Sequence, residues 1–422
     1  MRSSVALVLL VFLVCSPAGA ADFETAPVRT ATQILGKDTV SGPGYTIRER
    51  VTTRGFFNHY EIESRFGLFE ATSDRMLQIR LREIETMQRL MTMDAASTYM
   101  KALEKRLVQL PTSLVEVAKN PGGAVKNVPK AVEKTFGRVG SFLGGIGKSG
   151  GSGGPSPEAV KEGLVSSQKR KLAIELMVDV HSSNAKLQQM LEDVATARYA
   201  GEFTVSLASY AIPGGAGTAV YSTASWNADI VKLLSDMTEE EVVAYNAQQL
   251  RNMSTHEFII RKYFEAPGLT PRHETLIIQA MRKLRGVRGL DAIPQAASEA
   301  QDETQALLQE QQALALAAYH QKREPIVELR AAGAMIMART RSGRGVILGP
   351  VDILWHNADT DRLLQTLAAE SFLRQARARD LEIKGRVTQR FVDRAKALGF
   401  RVVSGWPGLT IDDGRSAIAS PR

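Results

Sequence analysis

The chain has 422 residues and carries 53 lysines and arginines against 45 aspartates and glutamates, a formal net charge of +8. Hydrophobic residues make up 44% and charged residues 23%, which is ordinary for globular proteins and excludes wholesale disorder. The single cysteine, Cys15, excludes a disulfide framework, and the length is enough for two or three domains with separate cores.

Residues 1–20 have the pattern of a secretory signal peptide. A basic start at Arg2 precedes the apolar run from Val5 to Val14, and Ala18 and Ala20 fit the small-x-small cleavage pattern. This run is too short to span a membrane. We therefore expect export to the periplasm or the extracellular space, with membrane association as an open question. A lipid anchor at Cys15 is a weaker alternative, because Val14 is bulky for the position before a lipidated cysteine.

An exported basic protein favours anionic surfaces. Anionic lipid, an acidic envelope polymer and a protein partner are the candidates, and nucleic acid is disfavoured. The alternative is that the net charge serves solubility alone.

Residues 21–110 predict a small antiparallel β-meander followed by a long helix. Residues 22–43 show no periodicity, so extended or disordered chain is expected there. Alternating runs at 45–51 and 57–62 and a third run at 66–70 predict three strands. Ser73 and Asp74 mark the start of a helix that runs toward residue 110, with one apolar stripe: Leu77, Leu81, Ile84, Met87 or Gln88, and Met91.

Residues 111–157 form a basic segment rich in proline and glycine. Apolar residues interleave with its lysines and arginines, as in segments that lie at a lipid headgroup interface. Its prolines forbid one long helix, which favours a solvated linker between domains. For the membrane-surface alternative, the expected contact residues are Lys119, Lys126, Lys130, Lys134, Phe136, Arg138 and Phe142.

Residues 158–326 predict a central α-helical domain. Phe203 to Ala228 contains no charged side chain, and the Pro213–Gly217 cluster divides it into two arms. Arms of this length are more typical of buried core helices than of membrane spans, with insertion into a bilayer as the alternative. Capping boxes at 238–241 and 254–257 predict the starts of two helices. Residues 298–323 are predicted to form a further helix with good capping residues at both ends.

Residues 327–405 predict a small α+β domain, and residues 406–422 a disordered tail. Strands are expected at 334–340, 345–348, 351–355, 381–383 and 401–403, with helices at 357–379 and 389–398. The basic residues of 374–396 are interleaved with Asp380, Glu382 and Asp393, which is typical of a solvated face. The predicted fold class is α+β, predominantly α-helical, with an N-terminal β-meander plus helix, a central multi-helix domain and a C-terminal α+β domain.

No local stretch matches a catalytic motif, so the catalytic residues stay unknown and we predict neither a cofactor nor a metal site. Gly144–Ser149 looks like a phosphate-binding loop, but Phe142 stands where that loop requires glycine. His273–Glu274 begins a zinc-helix pattern, but Ile277 replaces the second histidine. A favourable helix dipole explains Glu274.

The sequence favours an exported, non-enzymatic protein of the cell envelope with an interaction or scaffold role. Two alternatives stay open. One is an exported hydrolase whose histidines and carboxylates come from distant parts of the chain, and the other is a membrane-inserting protein that uses the 203–228 hairpin. A pocket that gathers His, Asp or Glu would favour the hydrolase.

Overall fold

A computed structural model describes residues 23–93, 105, 107–108, 157–176, 178–201, 233–234 and 236–406. In these ranges the chain is mixed α+β and largely helical. None of the helices described there combines the length and hydropathy that crossing a bilayer requires. The predicted signal peptide, the 203–228 hairpin, residues 111–156 and the tail from 407 lie outside the described residues.

The N-terminal sheet is antiparallel and is built around its longest strand, β5. Strands β4 and β3 pair along one side of β5 and β6 pairs along the other. β3 and β4 pair with successive parts of the same edge of β5, and Arg48 and Glu49 lie between the two strands. The six strands are β1 Arg29–Thr30, β2 Ser41–Gly42, β3 Tyr45–Ile47, β4 Arg50–Arg54, β5 Phe57–Ser64 and β6 Gly67–Thr72.

The prediction of extended or disordered chain at 22–43 misses a helix. Residues of this segment form β1, β2 and the short helix α1, Ala31–Leu35. A capping box begins α1: the hydroxyl of Thr30 accepts the Gln33 N–H at 3.2 Å, and the Gln33 side chain accepts the Thr30 N–H at 3.2 Å. The helix is too short to show an apolar period, so only the cap could have revealed it.

Helix α2, Asp74–Met93, begins where the sequence predicts. The Ser73 hydroxyl accepts the backbone N–H of Met76 at 2.9 Å. Charged residues on other faces of α2 are also buried, among them Arg80 and Glu83, so the helix lies inside the molecule. All five residues of the predicted stripe are at most 4% exposed: Leu77, Leu81, Ile84, Met87 and Met91.

Seven further helices follow in the described ranges before the C-terminal sheet. Helices α3 and α4 share an apolar cluster with the N-terminal sheet and α2, whereas α5 to α9 belong mainly to a second cluster. The predicted capping box of Thr238 and Glu241 is present at the start of α5. The helices are α3 Pro157–Glu175, α4 Ala185–Tyr199, α5 Glu239–Asn252, α6 Glu257–Phe264, α7 Pro271–Arg282, α8 Ala292–Ala297 and α9 Glu303–Lys322.

The second predicted capping box, at 254–257, is wrong. His256 is the N-cap of α6, and its Nδ1 accepts the Phe258 N–H at 3.2 Å. Ser254 has a φ of 61°, a left-handed conformation that ends the preceding turn and leaves its side chain out of the cap position. Glu257 instead pairs with Arg251 at 2.6 Å, and this hydrogen bond lowers the pKa of Glu257.

The C-terminal sheet has five strands in the order β13-β11-β9-β8-β7. β7, β8 and β9 form an antiparallel meander, and β9, β11 and β13 run parallel. β10 and β12 form a separate parallel pair beyond the ends of β9 and β11. The elements are β7 Ile326–Ala332, β8 Met335–Thr340, β9 Gly345–Gly349, β10 Ile353–Leu354, α10 Ala358–Ala369, α11 Ser371–Arg374, β11 Arg379–Ile383, β12 Arg386–Val387, α12 Gln389–Ala397 and β13 Arg401–Ser404.

Two sequence predictions in this region need correction. The first strand predicted here begins at residue 334, so the prediction misses β7 at Ile326–Ala332. The single helix predicted at 357–379 is two helices, since Glu370 adopts an extended backbone (φ −60°, ψ 121°) that ends α10. This turn directs Phe372 and Leu373 of α11 into the core beneath the sheet.

Helices cover both faces of the C-terminal sheet. Val346 and Leu348 of β9 face the cluster that contains α7, α8 and α9, and Ile347 faces the cluster that contains α10, α11 and α12. A strand buried on both faces reads as a continuous apolar run, which β9 shows. Helix α9 lies at the junction of the clusters, because Leu307 packs with the N-terminal cluster and Leu316 with the central one.

We expect Leu316→Ala to lower the free energy of unfolding by about 2–5 kcal/mol, because Leu316 is fully buried and its truncation leaves a cavity. Leu164→Ala is the matched control, since Leu164 is 47% exposed, and should change stability by less than about 0.5 kcal/mol. Urea denaturation followed by circular dichroism measures both variants. Equal losses in the two would contradict this assignment of the core.

Candidate functional site

The carboxyl ends of β9 and β11 are the edge at which open α/β sheets bind ligands. In this chain the N-terminal sheet covers that edge. Asp352 and Ile353 donate their backbone N–H groups to the carbonyl of Phe56, at 3.1 and 3.2 Å. Oδ2 of Asp352 accepts the backbone N–H groups of Asn58 at 3.1 Å and Asp74 at 2.9 Å. One carboxyl group therefore joins the C-terminal sheet to β5 and to the start of α2.

Asp352 is buried, with 6% of the residue exposed, and its carboxyl group lies among polar partners. Burial and the charge of Asp74 raise the pKa of Asp352 to about 7, against the opposing effects of Lys384 and the two backbone N–H groups. Oδ1 of Asp74 accepts the Tyr60 hydroxyl and the Asn58 side-chain amide, both at 2.6 Å. Asp74, Tyr60 and Asn58 all belong to the N-terminal sheet and α2, and Asp352 joins them to the C-terminal sheet, so the chain itself fills this edge.

An open pocket of about 350 Å³ lies at the opposite end of the parallel strands. Arg339 of β8 pairs with Gly345, the first residue of β9, which fixes this position. The register of β7 and β8 sets Glu328 opposite Arg339, so their side chains share one face of the sheet with Arg330. Helix α11 supplies the rest of the wall. The lining residues are Glu328, Arg330, Arg339, Ser371, Phe372 and Gln375.

Both arginines of the pocket stack on the Phe372 ring. The guanidinium carbon lies 4.6 Å from the ring centroid for Arg339 and 5.5 Å for Arg330. Arg339 also donates to the backbone carbonyl of Phe372, which fixes its guanidinium against α11. Within the described part of the chain neither guanidinium forms an ion pair, and the acid of the pocket, Glu328, is paired with Arg288 at 3.0 Å.

The side chains of the pocket are of the kinds that bind anions. The guanidinium groups of Arg330 and Arg339 are always charged and present planar arrays of donors, which suit carboxylate and phosphate oxygens. The Ser371 hydroxyl and the Gln375 amide add neutral donors to the same wall. Because Glu328 is already paired with Arg288, the pocket has an excess of positive charge.

A buried histidine and carboxylate meet elsewhere, between α7 and α9. Glu310 accepts two hydrogen bonds from Arg272, at 3.1 and 3.3 Å, and lies 2.8 Å from Nδ1 of His273. Burial opposes ionisation of Glu310, but Arg272 and His273 outweigh it and hold its pKa at about 2. All three residues are at most 3% exposed. This cluster joins two helices inside the core and faces no solvent.

Three acids that the sequence reading treated as ordinary surface or helix-end groups are buried. Glu274 lies in the first turn of α7, as predicted, but it is 4% exposed, and burial raises its pKa to about 8, with Glu239 contributing. Asp380 and Glu382 of β11 are 1% and 2% exposed, so they do not lie on a solvated face. Asp380 pairs with Arg344 and Arg401, and Glu382 pairs with Arg323.

The sequence reading did not single out the pocket residues. The predicted membrane-contact residues Lys119, Lys126, Lys130, Lys134, Phe136, Arg138 and Phe142 all lie outside the described residues. In the part of the chain that is described, no three or more His, Cys, Asp or Glu side chains are arranged to hold a metal ion. No protein-family model, curated protein or solved structure matches this chain.

We expect the free energy of unfolding to fall as the pH rises from about 4 to about 7. Over this range Asp352 is ionised in the unfolded chain but protonated in the folded chain, whose pKa is about 7. The contribution is on the order of 1 kcal/mol per pH unit. Asp352→Asn keeps an accepting oxygen but cannot ionise, so its stability should depend less on pH.

Urea midpoints of both proteins at pH 4, 5, 6 and 7 measure this difference. Asp359→Asn is the control, because the Asp359 side chain is 76% exposed and its removal should leave the pH dependence of the wild type in place. Parallel curves for the wild type and Asp352→Asn would refute the assignment.

Proposed function

We propose that this chain is an exported, non-enzymatic protein of the cell envelope that acts by binding, in an interaction or scaffold role. In this proposal the pocket formed by β7, β8 and α11 holds a carboxylate or phosphate group of its partner. The observation that carries the proposal is the pair of guanidinium groups, Arg330 and Arg339, stacked on Phe372 beside an open pocket. The net charge of +8 and the leader-like pattern at residues 1–20 also support it.

The proposed layout has six parts. Residues 1–20 are the removed leader, 21–110 the N-terminal β-meander with its helix, and 111–157 a basic linker. Residues 158–326 are the central helical domain, 327–405 the C-terminal α+β domain, and 406–422 the tail. The apolar clusters cross two of these boundaries: one joins the N-terminal sheet to α3 and α4, and another joins α5–α9 to the C-terminal sheet.

Binding has more support than hydrolysis. The pocket is lined by arginines, one paired glutamate and two neutral polar residues, and the described histidine with the shortest carboxylate contact, His273, is buried with Glu310. A hydrolase would require an acid or base that reaches substrate. An anion receptor requires only the charges and donors that the pocket supplies.

We expect Arg330→Gln to weaken binding of citrate or inorganic pyrophosphate at least tenfold, since charge-assisted hydrogen bonds contribute about 1.5–3 kcal/mol each. Arg330 is exposed, so this change should leave the fold intact. Arg362→Gln is the matched control, because it removes the same charge from a side chain that is 77% exposed and does not line the pocket. Isothermal titration calorimetry at low salt compares the three proteins, and equal affinities would contradict the proposal.

In the same proposal, residues 111–148 touch an anionic membrane surface. We expect the full chain to float with phosphatidylglycerol vesicles, and replacement of Lys119, Lys126, Lys130, Lys134 and Arg138 by glutamine to reduce flotation strongly. Each cation near such a surface contributes about 1 kcal/mol.

The control variant replaces five exposed cations elsewhere by glutamine: Lys161, Lys171, Lys262, Lys283 and Arg285. It has the same net charge as the first variant and should float like the wild type. Equal flotation of the two variants would argue against a role for the 111–148 segment.

A further inference from the structure

The first described residues of the chain lie against the carboxyl edge of the C-terminal sheet. The backbone N–H of Glu24 donates to the carbonyl of His356 at 2.8 Å. The Glu24 carboxylate accepts the backbone N–H of His356 at 2.7 Å and the hydroxyl of Thr388 at 2.7 Å. The Phe23 ring meets the His356 ring edge-on, with 5.2 Å between the centroids. A segment from one end of the chain is therefore fixed to residues more than 300 positions away.

The Glu24 carboxylate lies beside the beginnings of two helices. His356 directly precedes Asn357, the N-cap of α10, and Thr388 is the N-cap of α12. Helix N-termini carry a partial positive charge, which favours an anion at this position. The Thr388 hydroxyl serves both partners, because it donates to Glu24 and accepts the Phe391 N–H at 3.3 Å.

The same segment is also attached to the N-terminal sheet. The Thr53 hydroxyl of β4 donates to the carbonyl of Pro27 at 2.8 Å, and β1 begins two residues later. The segment is poorly covered, since Thr25 and Ala26 are exposed and Phe23 is 41% exposed. A segment held by few, partly exposed contacts opens at a lower free energy than the core.

We propose that residues 23–27 are a releasable clasp, a segment that holds the N-terminal sheet over the carboxyl edge of the C-terminal sheet. The hydrogen bonds of the Glu24 carboxylate keep the clasp closed. Opening the clasp frees a backbone N–H and a hydroxyl at the edge where α/β sheets bind ligands, while Asp352 still joins the two sheets. The clasp acts at the end of the sheet opposite the arginine pocket, so it is independent of the function proposed for that pocket.

Amide hydrogen exchange of the full chain tests the clasp, because the His356 N–H reports directly on its bond to Glu24. We expect Glu24→Ala to speed exchange at His356 at least tenfold and Glu24→Gln to have a smaller effect, since glutamine keeps one accepting oxygen. The amide of Leu381 in the middle of β11 is the internal reference and should be unchanged. Glu265→Ala, at an exposed position, is the matched control and should leave His356 within twofold of the wild type.

A selective rise at His356 supports the clasp. Unchanged exchange at His356 overturns it, because the bond then protects nothing. A uniform rise at His356 and Leu381 also overturns it, because Glu24 then stabilises the whole fold and does not release locally.

Discussion

The arrangement of the two sheets depends on the carboxyl group of Asp352. Its Oδ2 accepts two backbone N–H groups, from Asn58 in β5 and from Asp74 at the start of α2. Without it, two donors at a buried boundary would lose their partner, and each unsatisfied group costs about 1–3 kcal/mol. Burial also makes ionisation of this carboxyl unfavourable, which raises its pKa to about 7. The two backbone N–H donors favour the ionised form, but burial and the charge of Asp74 outweigh them.

This contact closes one end of the C-terminal sheet. The N-terminal sheet and the segment at Glu24 cover the carboxyl edge of β9 and β11. The amino end of the same strands is open, and there Arg330 and Arg339 stack on Phe372 around the pocket. Several buried guanidinium and carboxylate groups elsewhere are matched by an opposite charge, as in the pair of Glu310 with Arg272. The pocket has no such match among its own residues, which is why we assign binding to it.

Local rules predict those parts of the fold that local interactions determine. The apolar stripe of α2, the capping box at Thr238 and the continuous apolar run of β9 are readable because neighbours in sequence carry the signal. The same rules fail at Ser254, where a left-handed turn removes the expected cap, and at Glu370, where an extended residue divides a predicted helix. In both places the backbone conformation of one residue outweighs the pattern of its neighbours.

The candidate site could not be predicted from the sequence for a different reason. Arg330, Arg339 and Phe372 come from β7, β8 and α11, and their proximity depends on strand register and on the turn at Glu370. A period-two pattern of Glu328 and Arg330 is visible in the sequence, but it indicates only a strand with one polar face. The burial of Asp380 could not be predicted for the same reason, because its partners Arg344 and Arg401 lie far away in sequence.

The most direct measurement of the central contact is an NMR titration of the side-chain carboxyl carbon of Asp352 in protein labelled with ¹³C-aspartate, assigned with Asp352→Asn. A carboxyl group enclosed by the N-terminal sheet should titrate near pH 7. A midpoint near pH 4, the value of a solvated aspartate, would show that water reaches this group and that the N-terminal sheet does not close the carboxyl edge.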